Sequence, residues 1–532
     1  ISSQKSLLYL HYCDYYYLNS KYQIHIFEFL DIKSIDTLQN GSECFQGETH
    51  MSQVQITGFI NGEFLPPSDQ IQPVYDPGNS TQQIGTISNT SLDDVNKAIE
   101  AAHKAFQTWK DTPIAERQEL LKKASELIFQ EKDNLKELLV SEHGGMLWEA
   151  ETDFYLGSGV MSMYAQAPDD FLVPKEISEE NGWIRIHKKP KGVISAIVPW
   201  NMPIVLTMMK LGPLLLAGNT VVLKPSPFAA LALTQLLAKI AAIFPKGVIN
   251  VVHGDADVGN LMTSHPLIRK VAFTGGTATG AAVMASAAQS IKDVTLELGG
   301  NDAAIILDDS DFKAILPKLL KGVFTRSGQI CFAVKRVYVP KDKLDHYFDL
   351  VCEEVDKYKV GHGLDADANF GPLNNKKQWS IVQKFIENAK ASDQCEVREL
   401  GQKLNPEQWD KGYYVLPHVV KTLDNSLEIV QQEQFGPIIP LIGYDSVEQA
   451  IAYANDNEQG LCSSVWSDNI ERAYEIAQKI EAGSTFINSH SFDSLQLGMP
   501  FGGIKQSGIG RELDINETLK SYLEPHSIRL IN

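Results

Sequence analysis

Between residues 193 and 296, five short apolar runs recur, spaced by longer polar or Ala-rich stretches. The runs are 193–198, 220–223, 248–252, 270–273 and 294–296, and each contains Val. Segments 229–242 and 278–290 between them are rich in Ala and other helix formers. Strands buried on both faces read as such continuous apolar runs. Strand and helix alternating at this interval predict a doubly wound parallel sheet. Ligands of such sheets bind outside the carboxyl ends of the strands. A second alternating set opens at Ala303-Ala304-Ile305-Ile306-Leu307 and continues through 336–340, 344–358, 438–441 and 484–488. It predicts a second α/β domain.

At 532 residues the chain is too long for one core, so more than one domain is expected. Hydrophobic content of 43% and charged content of 21% are those of an ordinary globular chain. A net charge of -19 argues against nucleic-acid and anionic-membrane partners, which need a basic face. No apolar run approaches the roughly 20 residues that cross a bilayer. The six Cys form no CxxC and no Cys/His cluster, so no metal site is expected. Their scatter fits reduced thiols in the cytoplasm rather than a disulfide framework.

The first fifty residues contain no Met and carry a cluster at Tyr15, Tyr16 and Tyr17. Domain-like patterning starts just after Met51, so 1–50 read as an atypical extension, either outside the native protein or, as the weaker alternative, a partner-binding arm. Phe59-Ile60-Asn61-Gly62-Glu63-Phe64 predicts a hairpin on an Asn-Gly turn. Ser91 predicts the N-cap of a helix whose core face is Val95, Ala98, Ala102, Ala105 and Trp109. Residues 183–187 alternate like an edge strand.

Two residues suggest chemistry. Cys331, in Gly328-Gln329-Ile330-Cys331, carries a thiol that can attack an electrophilic carbon. Glu297, in Thr295-Leu296-Glu297-Leu298-Gly299-Gly300, can activate water to release what the thiol captured. Each lies in a Gly-containing stretch that lets backbone approach a ligand. Further segments sit at strand ends or Gly-rich turns. They are Pro199-Trp200-Asn201-Met202-Pro203, Leu223-Lys224-Pro225-Ser226-Pro227, Phe273-Thr274-Gly275-Gly276-Thr277 and Glu433-Gln434-Phe435-Gly436-Pro437. Pro500-Phe501-Gly502-Gly503-Ile504-Lys505-Gln506-Ser507-Gly508 lies near the end. Read singly, each is a turn.

Together and in this order, these segments resemble the aldehyde dehydrogenase superfamily over residues 55–525, most closely its NAD(P)-dependent, non-acylating branch. The resemblance implies Cys331 as nucleophile, Glu297 as base, and the Asn201 amide with the Cys331 N–H as oxyanion donors. It implies Lys224 at the adenosine ribose, Ser226 among the cofactor contacts, and Glu433 at the nicotinamide ribose, with Phe435 beside the ring. Ile197, Val198, Pro199, Trp200, Gly275, Gly276, Thr277 and Leu298 would line the cofactor path. Lys210 matches a recurrent lysine; a proton relay and a solvated helix charge are both open. Met202, Met209 and Phe332 make an apolar pocket that favours an uncharged or partly aliphatic aldehyde. A thiol of ordinary pKa near 8.5 needs an electropositive neighbourhood to ionise.

Departures accompany the matches. Pro227 replaces a usual Glu that grips the adenosine ribose, which leaves NADP possible beside NAD. Gly276 replaces a Ser, Asn301 a Lys, and Arg326 an Asn. A guanidinium at 326 would lower the Cys331 pKa if it faced the sulfur. His490 reads as a loop histidine near the substrate mouth. A papain-like pairing of Cys331 with His253 or His265 lacks that family's local signature.

The expected architecture is two doubly wound α/β domains, a Rossmann-like cofactor domain and a catalytic domain, plus a small β oligomerisation element. The cofactor domain spans 51–170 and 191–299, the catalytic domain 300–500, and the bridging element 171–190 and 501–532. A homodimer or homotetramer acting on a small aldehyde is implied. The rivals are a CoA-acylating relative and a catalytically silent protein on the same fold.

Overall fold

The computed structural model describes residues 54–531, so the expectation for 1–50 lies outside it. Two large sheets dominate. The first orders its strands Gly508–Ile509, Asp293–Glu297, Ile268–Thr274, Val193–Ile197, Thr220–Lys224, Ile249–Val251, Phe59–Ile60 and Glu63–Phe64. The five strands from 193 to 297 are mutually parallel. Alternate residues face opposite layers, as the pleat requires. Val193, Val222, Val252 and Val271 pack beneath Val95, Ala98, Ile99 and Ala102 of the helix Leu92–Trp109. Ile194, Ala196, Val221 and Leu223 meet the helices Pro203–Leu216 and Leu231–Ala241 on the other face. Both faces are covered, which is why these strands read as unbroken apolar runs.

The second sheet orders Glu396–Glu399, His418–Thr422, Ile438–Tyr444, Val334–Pro340, Asp302–Ile306, Cys462–Trp466 and Ser484–Ile487. All but the first are parallel. Ala304, Ile306, Val337 and Val339 belong to one core layer, and Ala303, Ile305 and Tyr338 to the opposite one. The fold is thus α/β with two doubly wound sheets.

Local expectations fare unevenly. Asn61 (φ 52°) and Gly62 (φ 86°) form the left-handed turn of the Phe59–Ile60 and Glu63–Phe64 hairpin. Ser91 caps its helix, accepting from the Asp94 N–H at 3.1 Å. Residues 183–187 do not form an edge. They sit in Gly182–Pro190, the central strand of a three-stranded sheet between Lys175–Glu179 and Leu523–Ile531 of the same chain. Gly508–Ile509, assigned in sequence to the bridging element, pairs instead with Asp293–Glu297 in the first sheet. Among the described residues no helix is long and apolar enough to cross a membrane.

Candidate active site

The two sheets meet head to tail. In the first, strand register aligns Ile197 with Lys224, Phe273 with Ile197, and Thr274 with Glu297. These residues therefore share the carboxyl rim. The second sheet contributes its amino rim: Gly299-Gly300 precedes Asp302–Ile306, Cys331 precedes Val334–Pro340, and Glu433 and Phe435 precede Ile438–Tyr444. Val198 N–H donates to the Lys224 carbonyl at 3.2 Å, and Gly275 N–H to the Glu297 carbonyl at 3.0 Å, tying the first rim together.

The cysteine loop is held in an unusual turn. Arg326 (φ 57°), Ser327 (φ 56°) and Gly328 (φ 75°) are successively left-handed. Two non-glycine residues in that region persist only where the surroundings over-determine them. Ser327 Oγ donates to the Gly371 carbonyl at 2.8 Å, and Arg326 N–H donates to Glu149 Oε1 at 2.5 Å. Asn201 Nδ2 donates to the Gln329 carbonyl at 3.0 Å, so the expected oxyanion amide lies against the cysteine loop.

Glu297 is buried and neither carboxylate oxygen has a hydrogen-bond partner among the described residues. Burial pushes its carboxyl well above the usual range, and Glu512 adds to this; Lys210 and Arg511 pull the other way. Lys210 is not a solvated helix charge. It is fully buried, and its Nζ lies 2.8 Å from Glu512 Oε1. Glu512 Oε2 has no hydrogen-bond partner among the described residues. Glu297, Glu512 and Lys210 therefore form one buried electrostatic group.

The expected electropositive setting of Cys331 is not found. The thiol is partly exposed, and burial together with Glu433, Asp302 and Glu297 pushes its pKa up. Arg326 does not face it; the guanidinium bonds to backbone carbonyls instead. The cation near the loop is Lys335, which the sequence reading missed. It is buried, donates to the Gly328 carbonyl, and lies 5.3 Å over the Phe435 ring. Burial lowers its pKa, while Glu433, Asp302 and Cys331 oppose that shift. A lysine at the mouth of a wholly buried strand was the available signal, since an ammonium there must find partners. His490 is likewise buried rather than on a loop surface. Its Nε2 lies 2.8 Å from the Phe332 carbonyl and its Nδ1 2.9 Å from Ser464 Oγ.

The cofactor candidates also converge. Glu433 Oε1 accepts from Gly300 N–H at 3.4 Å, and a Cβ on Gly299 would fall 2.2 Å from Glu433 Oε2, so a side chain there would displace the carboxylate. Burial raises the Glu433 carboxyl; Lys335 opposes. Phe435 meets Trp200 edge-on at 5.5 Å. Among the described residues, the helix Thr277–Ala288 starts with no side-chain cap and nothing lies within 4 Å of a Cβ built on Gly276. Lys224 is buried, which lowers its pKa, with Asp255 and Asp257 acting against that. Ser226 Oγ accepts from Phe228 N–H at 3.4 Å in the turn after Lys224. Leu298 packs on Gly280 and donates its N–H to the Ser507 carbonyl at 2.9 Å.

Cys331 packs against a large core cluster that includes Met202, Met209 and Phe332, and Phe492, Leu495, Leu497 and Met499 pack against the same cluster. Phe332 contacts Phe492 and Phe501 edge-on at 5.2 and 5.9 Å. The residue after Cys331 therefore sits among aromatic rings.

Comparison with known proteins agrees with this arrangement. The Aldehyde dehydrogenase family profile matches residues 64–528. DhaS of Bacillus subtilis (strain 168), which carries an aldehyde dehydrogenase name, is 34% identical over 481 residues, 88% of this chain and 94% of that protein. FUS7 of Gibberella fujikuroi, named likewise, is 34% identical over 437 residues, 81% of this chain and 91% of that protein. The crystal structure of betaine aldehyde dehydrogenase (betB) from Staphylococcus aureus in complex with NAD+ superimposes with a TM-score of 0.86 at 30% identity, covering 90% of this chain and 96% of that one. A cysteine, a paired amide and an unpartnered carboxylate at the seam of two such sheets, with a family match over nearly the whole described chain, identify it: this protein belongs to the aldehyde dehydrogenase family.

Proposed function

We propose that this protein oxidises an aldehyde to its carboxylic acid, with NAD as the electron acceptor. The observation that carries the reading is Cys331, Asn201 and Glu297 converging where the carboxyl rim of one sheet faces the amino rim of the other. The residues at that seam fit a dinucleotide. The open, uncapped start of Thr277–Ala288 suits a pyrophosphate. Lys224 would hold the adenosine ribose, the Glu433 carboxylate would accept from two ribose hydroxyls, and Phe435 with Trp200 would flank the ring. When bound, NAD supplies the acceptor for hydride from the substrate carbon.

The chain's own residues do the rest. Cys331, partly exposed, loses its thiol proton to solvent water, and Glu297, whose raised pKa makes it a strong proton acceptor once ionised, is kept for the later hydrolysis. The sulfur adds to the carbonyl carbon and forms a thiohemiacetal. The Asn201 amide and the Cys331 N–H meet the developing oxyanion. After hydride loss a thioester remains on Cys331. Glu297 removes a proton from water, water attacks the thioester, and acid and thiol are released. Glu512 Oε2, without a partner and beside Lys210, gives the proton an onward acceptor.

The presence of Glu297 favours water over CoA as the final acceptor. The apolar core against which Cys331 packs favours an uncharged, partly aliphatic aldehyde. Asp255 and Asp257 facing Lys224 disfavour a 2′-phosphate through like charge, so NAD is preferred to NADP. The test is a spectrophotometric screen of an aldehyde panel with NAD, with NADP, and with added CoA. We expect reduced cofactor, free acid as product whether or not CoA is present, and a larger kcat/KM with NAD. An acyl-CoA product would assign the chain to the acylating rival, and no reduced cofactor with any aldehyde would favour the silent one.

A homodimer or homotetramer belongs to the same reading. Lys175–Glu179 is exposed along its length and Leu523–Ile531 beyond its first residue, leaving two bare strand edges that a second copy can cover. Sedimentation showing only monomer at micromolar concentration would remove it. The free thiols Cys331, Cys352, Cys395 and Cys462 fit a reducing cytoplasm, which cell fractionation checks.

A further inference from the structure

Arg326 occupies a position where the family's usual residue is shorter, and its side chain is fully buried. Its guanidinium reaches away from the thiol. Nε donates to the Asn201 carbonyl at 3.0 Å and Nη2 to the His143 carbonyl at 3.3 Å. The Asn201 side chain donates in turn to the Gln329 carbonyl at 3.0 Å, and Gln329 N–H donates to the Arg326 carbonyl at 3.0 Å. These bonds close a ring. Arg326 holds the main chain of Asn201, Asn201 holds Gln329, and Gln329, two residues before Cys331, returns to Arg326.

A second observation concerns Gly145. A Cβ built there would lie 1.7 Å from Arg326 Nη1 and 2.7 Å from its Cζ. The guanidinium thus fills the volume that any side chain at 145 would need. Among the described residues Nη1 has no hydrogen-bond partner, and its nearest carboxylate oxygen is Glu149 Oε2 at 3.8 Å. Its seat is set by shape at Gly145 and by the two carbonyl bonds.

We propose that Arg326 is a positioning residue for the oxyanion pocket: it fixes Asn201 against the cysteine loop so that the Asn201 amide and the Cys331 N–H converge on one point, and Gly145 is the slot that admits it. This rests on the reading that Cys331 captures an aldehyde. The effect belongs to the transition state, because the donors matter most where charge develops.

The test compares Arg326→Met, Arg326→Lys, Gly145→Ala and the double variant Arg326→Met/Gly145→Ala in the full-length protein. The readouts are kcat, aldehyde KM, NAD binding by fluorescence, and the rate of Cys331 alkylation by iodoacetamide, a reaction that develops no oxyanion. Arg326→Met and Gly145→Ala should each lower kcat about 10²-fold, the cost of a misplaced oxyanion donor. Aldehyde KM, NAD binding and alkylation should stay at wild-type values. Arg326→Lys, able to keep one carbonyl bond, should recover part of the loss. The double variant should be no worse than either single one, since an empty slot tolerates a methyl group. Unchanged kcat, a parallel fall in alkylation, or additive losses would overturn the proposal. If Arg326→Met fails to fold, Gly145→Ala decides, because it leaves the arginine in the chain and takes its seat, the other atom in the way being His143 Cε1 at 2.9 Å. Wild-type protein that oxidises no aldehyde would defeat the underlying reading instead.

Discussion

Cys331→Ala abolishes aldehyde oxidation, with kcat/KM falling on the order of 10⁶-fold, the scale seen when a catalytic nucleophile is removed. NAD binding survives, because Lys224, Glu433, Phe435 and the start of Thr277–Ala288 lie on other segments. The fold survives as well. Cys331 is only partly buried, and its loop is secured by Ser327, Arg326 and Asn201 rather than by the sulfur. Steady-state reduced-cofactor signal and NAD fluorescence titration together check this. Oxidation persisting in the alanine variant would remove Cys331 from the chemistry; loss of NAD binding would make its role structural.

Glu297→Gln separates the two half-reactions. An amide cannot take a proton from water, so thioester hydrolysis loses the 10²–10⁴-fold, roughly, that a general base contributes. Stopped-flow mixing should show one equivalent of reduced cofactor at most, followed by a stall, with acyl group trapped on Cys331. A wild-type steady state would reject the base assignment. Acidity enters here with a definite sign. The Glu297 pKa is raised by burial and by Glu512, so the carboxyl is protonated and inactive as a base over a wider acidic range than a free Glu. Turnover limited by hydrolysis therefore climbs as pH rises through the raised Glu297 pKa, at higher pH than a free Glu would give. Glu512→Gln removes the like charge and frees the Lys210 ammonium. Both changes lower the Glu297 pKa, so the rising limb of kcat against pH moves to lower pH.

The parts legible in sequence were those with a local physical signature. The strands between 193 and 297 stood out because they are covered on both faces. The Ser91 cap and the Asn61-Gly62 turn were legible because each obeys a rule spanning a few residues. Pro203–Leu216 was harder: it is buried on every side, so it carries no amphipathic period, and Gly212-Pro213 within it reads as a break. Lys210 was ambiguous because its partner, Glu512, lies 302 positions away. Direction was the other blind spot. Sequence placed Arg326 near Cys331 but could not say that its guanidinium turns toward Asn201. For the same reason the carboxylates Glu433, Asp302 and Glu297 around the sulfur emerged only with the fold. The replacement of Lys by Asn at 301 gains a partial account: Asn301 Nδ2 donates to the Val430 carbonyl at 2.8 Å, while a buried ammonium is present on the neighbouring strand at Lys335.

The head-to-tail meeting of the two sheets makes the chain's tolerance of inserted residues lopsided. Each added residue advances a strand by about 3.3 Å, more than the whole length of a hydrogen bond. One extra residue inside Asp293–Glu297, or between Cys331 and Val334–Pro340, would carry its reactive group out of reach of its partners. The same residue in a connection at the far end of either sheet would only lengthen a surface loop.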